Sequence, residues 1–103
     1  MQTLTSAQRK FLRAQAHHLE PIVLIGKQGV TDMVVRTVSD ALEARELIKV
    51  KFNEFKDGKQ PLIDEIEQRT GSQVAGVVGH VAIFYRWQPD DEKRKIELPK
   101  PRK

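Results

Sequence analysis

Cysteine is absent from the 103 residues. That absence removes disulfide frameworks, thiol nucleophiles and cysteine-ligated zinc together, and it agrees with a reducing compartment. Long apolar runs are missing as well. No stretch approaches the ~20 residues needed to span a bilayer, and the opening MQTLTSAQRK lacks the apolar stretch of a signal peptide. A cytoplasmic protein with no membrane partner is therefore expected. Neither GxGxxG nor GxxxxGK[ST] occurs, so no dinucleotide or P-loop nucleotide site is indicated. No serine sits in a nucleophile-elbow motif, and the acidic pair Asp64-Glu65 has no histidine nearby in sequence. Nothing resembles an assembled active site, and no cofactor or small-molecule substrate is called for. No repeat with a period of 20 to 50 residues is visible.

What is present suits one soluble domain. The length allows a single core burying roughly two thirds of the unfolded surface, and 39% apolar with 31% charged residues is an ordinary globular balance. The net charge of +4 and a pI near 9.6 make a polyanionic partner worth testing. The surplus sits at the two ends. Arg9, Lys10, Arg13 and Lys27 against Glu20 give +3 over residues 1–30, residues 31–60 balance at zero, 61–87 come to −1, and 88–103 carry six bases against four acids, +2.

Periodicity orders the chain. Thr5 and Gln8 form a capping-box pattern, and Leu4, Ala7, Phe11 and Ala14 recur at helical spacing, predicting a helix over 5–19. Pro21 cannot continue it, and Ile22–Ile25 reads as a short buried strand. Thr31 suits an N-cap, with Val30, Val34, Val38, Ala41 and Leu42 striping a second helix over 31–45. From Leu47 the period becomes two: Ile48, Val50 and Phe52 alternate with Lys49, Lys51 and Asn53. Asp57-Gly58 marks a turn, a third helix covers 60–70 with Gly71 as C-cap, and strands over 73–78 and 81–87 form a hairpin through Gly79-His80. The order α-β-α-β-α-β-β predicts a compact α/β sandwich around a four-stranded mixed sheet in residues 1–87. Residues 88–103, with three prolines and mixed charge, predict a mobile tail that Ile96 and Leu98 can dock locally.

The candidate chemistry lies in two places. Gly26-Lys27-Gln28-Gly29 joins a strand to a helix, where glycines permit positive φ, helix N–H groups stand unpaired and Lys27 adds a full charge. Such a corner can clamp a phosphate; it can equally be a tight turn with a solvated lysine. Arg9, Arg13 and His17 fall at successive i, i+4 steps on the first helix with Lys10 beside them, a row that suits phosphate oxygens or plain water. Lys49 and Lys51 project from one face of a strand and either extend the basic surface or simply keep that face wet, the second being the preferred reading. His17 and His18, with Glu20 nearby, invite a metal reading, but adjacent residues on a helix point about 100° apart whereas metal ligands normally come at i, i+3 or i, i+4, so no metal is expected. Of the rings near the last strand, Phe84 and Tyr85 read as core and Trp87 as an edge residue able to stack.

LTSAQRKFLRAQAHHLEPIVLIGKQGVT, ALEARELIKVKF, TGSQVAGVVGHVAIFYR and the closing IELP occur in the order of the CRM domain, and the chain resembles the single-domain bacterial YhbY family from about Leu4 to Arg86. The family's Ala-His-x-Leu-x-Pro is present at Ala16–Pro21, with Glu20 slightly reducing the positive charge near the loop. The resemblance implies a compact α/β RNA-binding domain with a shape like the C-terminal domain of translation initiation factor 3; with no active site in the sequence, a non-enzymatic monomer is expected. The resemblance further implies contact with structured ribosomal RNA during large (50S) subunit assembly, through Gly26, Lys27, Gln28 and Gly29 with Arg9, Lys10, Arg13 and His17. The alternatives are a protein-interaction adaptor working through the acidic third helix and tail, or an RNA chaperone for another structured RNA.

Overall fold

Thr5 opens the first helix as its sequence requires. Its hydroxyl accepts from the Gln8 backbone N–H at 3.1 Å while the Gln8 carboxamide accepts from the Thr5 N–H at 3.0 Å. The computed structural model describes residues 3–55 and 57–99, and in it α1 spans Ser6–Ala16. The helix stops short of the expected Leu19. Pro21 forces Glu20 out of helical space, and a Leu19 N–H bond to the Ala16 carbonyl at 2.9 Å closes the last turn.

The remaining elements are β1 Pro21–Ile25, α2 Asp32–Arg45, β2 Leu47–Phe52, α3 Lys59–Thr70, β3 Gln73–Val78 and β4 Val81–Tyr85. The order is the expected one, and the four strands form one mixed sheet, β1-β2-β4-β3. β1 runs parallel to β2, while β4 is antiparallel to both of its neighbours. Helix α3 ends at Gly71, whose φ of 69° is the left-handed cap that glycine adopts without a steric penalty.

Alternation along the strands sends side chains to two faces. On one face Ile25, Val50, Phe52 and Phe84 pack with Val38 and Leu42 of α2 and with Ile63 and Ile66 of α3. On the other, Leu12 and Ala16 of α1 meet Leu47, Ala75, Ile83 and Tyr85. Arg86 links the two helices of the first face: its guanidinium donates to the Ser39 hydroxyl (2.9 Å), the Ser39 carbonyl (2.8 Å) and the Thr70 carbonyl (2.9 Å). An 11-residue helix is only about 16 Å long. It covers the β3 side of its face and leaves the β1 side uncovered, so Ile22 and Leu24 are exposed.

Residues 88–99 are laid along the domain, where the sequence predicted a tail. Glu46, the C-cap of α2, has φ 66° and is buried. Its carboxylate accepts from the Lys95 N–H at 2.6 Å and the Ile96 N–H at 3.4 Å. Ile96 and Leu98 pack against the cluster around Tyr85, and the Gln8 side chain donates to the Pro99 carbonyl at 3.0 Å. The contacts of Ile96 and Leu98 are the local docking their apolar side chains led one to expect; the Glu46 anchor was not foreseen, because nothing in the sequence marks Glu46 as different from an ordinary acid at a helix end. Residues 100–103 lie outside the described residues.

Candidate nucleic-acid interface

The Gly26–Gly29 corner is a β-turn closed by the Gly29 N–H donating to the Gly26 carbonyl at 3.0 Å. Its two glycines differ. Gly29 is buried against Phe55 and has φ 68°, whereas Gly26 lies outside the positive-φ region with open space around it. Lys27 and Gln28, the exposed central residues, keep their N–H groups out of the turn's own bond. The start of α2 offers less than its sequence promises. The Val34 N–H is taken by the Thr31 hydroxyl (3.1 Å) and the Val35 N–H by the Thr31 carbonyl (3.0 Å), which leaves the first two amides of the helix for any anion. Asp32 stands at that end and pairs with Arg69, 2.5 Å away.

The α1 row divides. Lys10 is exposed; Arg9 is half-buried, with its Nε shielded from water and lacking a partner among the described residues. Arg13 lies across Gly76, at a bulge in β3, and donates to the Ala75 carbonyl at 3.2 Å. His17 is exposed at the end of the helix, its ring edge-on to that of His18. Arg13, His17 and Lys49 line one cavity on the sheet.

The turn and the helix row are not adjacent. Helix α1 packs mainly on β3, the turn follows β1, and the two strands are the opposite edges of the sheet, about 14 Å apart at the usual strand spacing. The uncovered sheet face connects them. Leu24 pairs with Lys51, and Lys49 stands two residues earlier on the same face as Lys51. The path therefore runs from Arg13 and His17 through Lys49 and Lys51 to Leu24 and the Gly26 turn. Sequence reasoning weighed the two strand lysines as an extension of the basic surface and preferred a plain solvated face, because their alternation fits either; what separates the two is how little of the sheet α1 covers.

The opposite side has another character. On α3, Arg69 bonds Glu65 at 3.0 Å as well as Asp32; these two carboxylates, Asp32 foremost, push the guanidinium's pKa still higher. Glu67 accepts from the Val74 N–H at 2.8 Å. Trp87 follows the far end of β4 from the turn, and Arg94 sits 4.8 Å over its ring, so one face of the indole is already covered. Among the described residues no cluster of three metal-ligating side chains occurs, and no helix is long and apolar enough to cross a membrane.

The CRS1 / YhbY (CRM) domain model matches residues 4–86. Bacillus subtilis YqeI, named a probable RNA-binding protein, is 38% identical over 97 residues, covering 93% of this chain and 99% of that protein. An RNA-binding protein of Haemophilus influenzae is 38% identical over 101 residues, with 97% and 99% covered. Among solved structures, that of SAV1595 from Staphylococcus aureus, described as a candidate RNA-binding protein, superposes with a TM-score of 0.81 at 36% identity, covering 94% of this chain and all of that one.

Proposed function

The chain belongs to the CRS1/YhbY (CRM) domain family, and from that premise we propose that it is a non-enzymatic RNA-binding protein whose ligand is structured ribosomal RNA of a large-subunit precursor. One observation carries the reading: cationic side chains on α1, β2 and the turn after β1, namely Arg13, Lys49 with Lys51, and Lys27, lie along or at the end of one uncovered sheet face. Phosphates lie along this path, held by Lys27 and the free amides of the turn at one end and by Arg13 with His17 at the other. Lys10 and the half-buried Arg9 add longer-range attraction. Contacts of this type position the protein and carry little sequence information, so shape selects the RNA.

The relatives named above support RNA as the ligand class; the ribosomal assignment rests on the family resemblance. Two measurements test the two levels separately. In a salt titration of RNA binding, Lys27→Glu is expected to weaken affinity about tenfold and to lower the slope of log K against log salt by about one, while Asp64→Ala on α3 stays within about twofold of the parent. Equal affinities for the parent and Lys27→Glu would remove the turn from the interface. For the ligand's identity, the protein is sedimented with its host's ribosomal particles at two salt concentrations, with a nuclease-treated control. Salt- and nuclease-sensitive migration with immature large subunits is the expected result. Migration that resists both treatments would point to a protein adaptor.

A further inference from the structure

Resting on the RNA-binding reading above, we infer that the cavity between the end of α1 and the open sheet face receives one unpaired nucleobase, and that Glu20 selects guanine there. The cavity measures about 380 Å³. That is at the lower end of the ~300–1,000 Å³ of small-ligand sites, a size for one heterocycle. Its floor is aliphatic, from Val78, Val81 and Ile83, and Val78 is left 64% exposed at the sheet's edge. An apolar surface this open is free to cover the face of a planar ring and release water from both.

The rim supplies the rest of a nucleotide site. Arg13 and Lys49 stand beside the floor with His17, so a base seated there has two cations and an imidazole hydrogen-bonding group at hand for its flanking phosphates. Arg13 is fixed in advance. A methyl group at position 76 would come within 2.5 Å of its Cδ, so its stem lies flat on the bulge, and the bond to the Ala75 carbonyl holds the guanidinium. A side chain ordered before binding loses less entropy on binding.

Glu20 is the one carboxylate among the lining residues. On electrostatics alone it weakens a phosphate site. For a base it supplies what the cations cannot, two adjacent acceptors. Guanine presents N1–H and the 2-amino group side by side and satisfies both oxygens. Adenine and cytosine offer one amino group beside an acceptor, and uracil one N–H between two carbonyls, so each leaves an oxygen unpaired or repelled. The proposal separates base selection at Glu20 from backbone attachment at Lys27.

The test uses the full chain and three single-stranded RNAs at one salt concentration, read by fluorescence anisotropy. These are oligouridine, the same strand with guanine at every third position, and the same strand with inosine there, which lacks the 2-amino group. The guanine strand is expected to bind about tenfold tighter than oligouridine, with inosine losing most of the gain. Glu20→Gln should bind oligouridine more tightly, because a repelling charge is gone, and yet bring the guanine preference within about twofold of unity. The neutral double change Val78→Ser with Val81→Ser, at surface-accessible positions, should also reduce the preference, with folding checked by circular dichroism. A Glu20→Gln protein that gains equally on all three strands would reduce Glu20 to a repelling charge and overturn the inference. Equal, salt-sensitive binding of all three by the parent protein would overturn the pocket and leave the RNA reading intact. No binding to these strands or to ribosomal particles would overturn both.

Discussion

Ile25 and Leu24 are neighbours on β1, and they belong to different worlds: Ile25 is wholly buried beneath α2 and α3, whereas Leu24 is 57% exposed on the face that α1 fails to reach. Two helices finish one side of the sheet. A single three-turn helix and the segment around Ile96 and Leu98 only partly finish the other. The first face holds the larger share of the core. The second bears four basic side chains, and its aliphatic groups remain in water, where a ligand can still bury them.

The sharpest way to break this comparison is to truncate both neighbours. Ile25→Ala removes fully buried methyl groups from the packed face and is expected to cost about 2–5 kcal/mol in urea unfolding. Leu24→Ala should stay within about 0.5 kcal/mol. RNA affinity should rank them the other way, with the Leu24 variant weaker once the Ile25 variant is measured under conditions where it is folded. A similar stability loss from both would mean that the open face contributes as much to folding as the closed one.

The second test probes the part of the α1 face that is covered. Tyr85 is buried there, with its hydroxyl unpartnered among the described residues. Burial chiefly, then the neighbouring Glu46 carboxylate, pushes its pKa up to about 12 from the ordinary 10. A phenol whose folded value is raised stabilises the fold fully below pH 10, and that contribution is lost as pH climbs from 10 towards 12. Two pH units of separation correspond to roughly 2–3 kcal/mol. Urea midpoints at pH 9 and pH 11.5 should therefore fall by more for the parent than for Tyr85→Phe, and the variant should match or exceed the parent at pH 9, since it deletes a buried hydroxyl that bonds nothing. The chain's single tyrosine makes absorbance a direct reading of the group. An ordinary midpoint near 10 would show that α1 and residues 96–98 leave this side open to water.

Most of the architecture was legible because it is local. The Thr5–Gln8 capping box, the Thr31 cap, the Gly71 C-cap and the switch to period two at Leu47 are each encoded within a few residues, and each appears as read. What the sequence concealed is relational. That Arg13 lies on Gly76 depends on a bulge in a strand 60 residues later. That Glu46 holds Lys95 and Ile96 depends on a left-handed residue where no glycine announces one. The significance of Lys49 and Lys51 follows from the shortness of a helix on another layer. Of the two places singled out for chemistry, the structure leaves Lys27 and Gln28 exposed and sets Arg13 and His17 on one cavity. It also spaces these groups across the sheet, when sequence alone invited reading them as one cluster.

The smallest expected effects lie at the corner where the two faces meet, and they separate its two readings. Gly29 needs its missing side chain for conformation: at φ 68° an alanine is strained, although the Phe55 ring carbons, 3.7 Å or more from where a Cβ would stand, leave room for it. Gly29→Ala should therefore lose about 1–2 kcal/mol of stability, and asparagine, which tolerates left-handed backbone, should lose less. Gly26 has neither constraint, with nothing within 4 Å of an added Cβ, so Gly26→Ala should leave stability within about 0.5 kcal/mol. If the corner is merely a turn, that variant is silent in every assay. If a phosphate approaches the Lys27 and Gln28 amides closely, the new methyl group stands in its way, and RNA affinity should drop severalfold while the unfolding midpoint does not move. A change in binding without a change in stability would make Gly26 part of the interface. Silence in both would leave Lys27 acting as a solvated charge beside an ordinary bend.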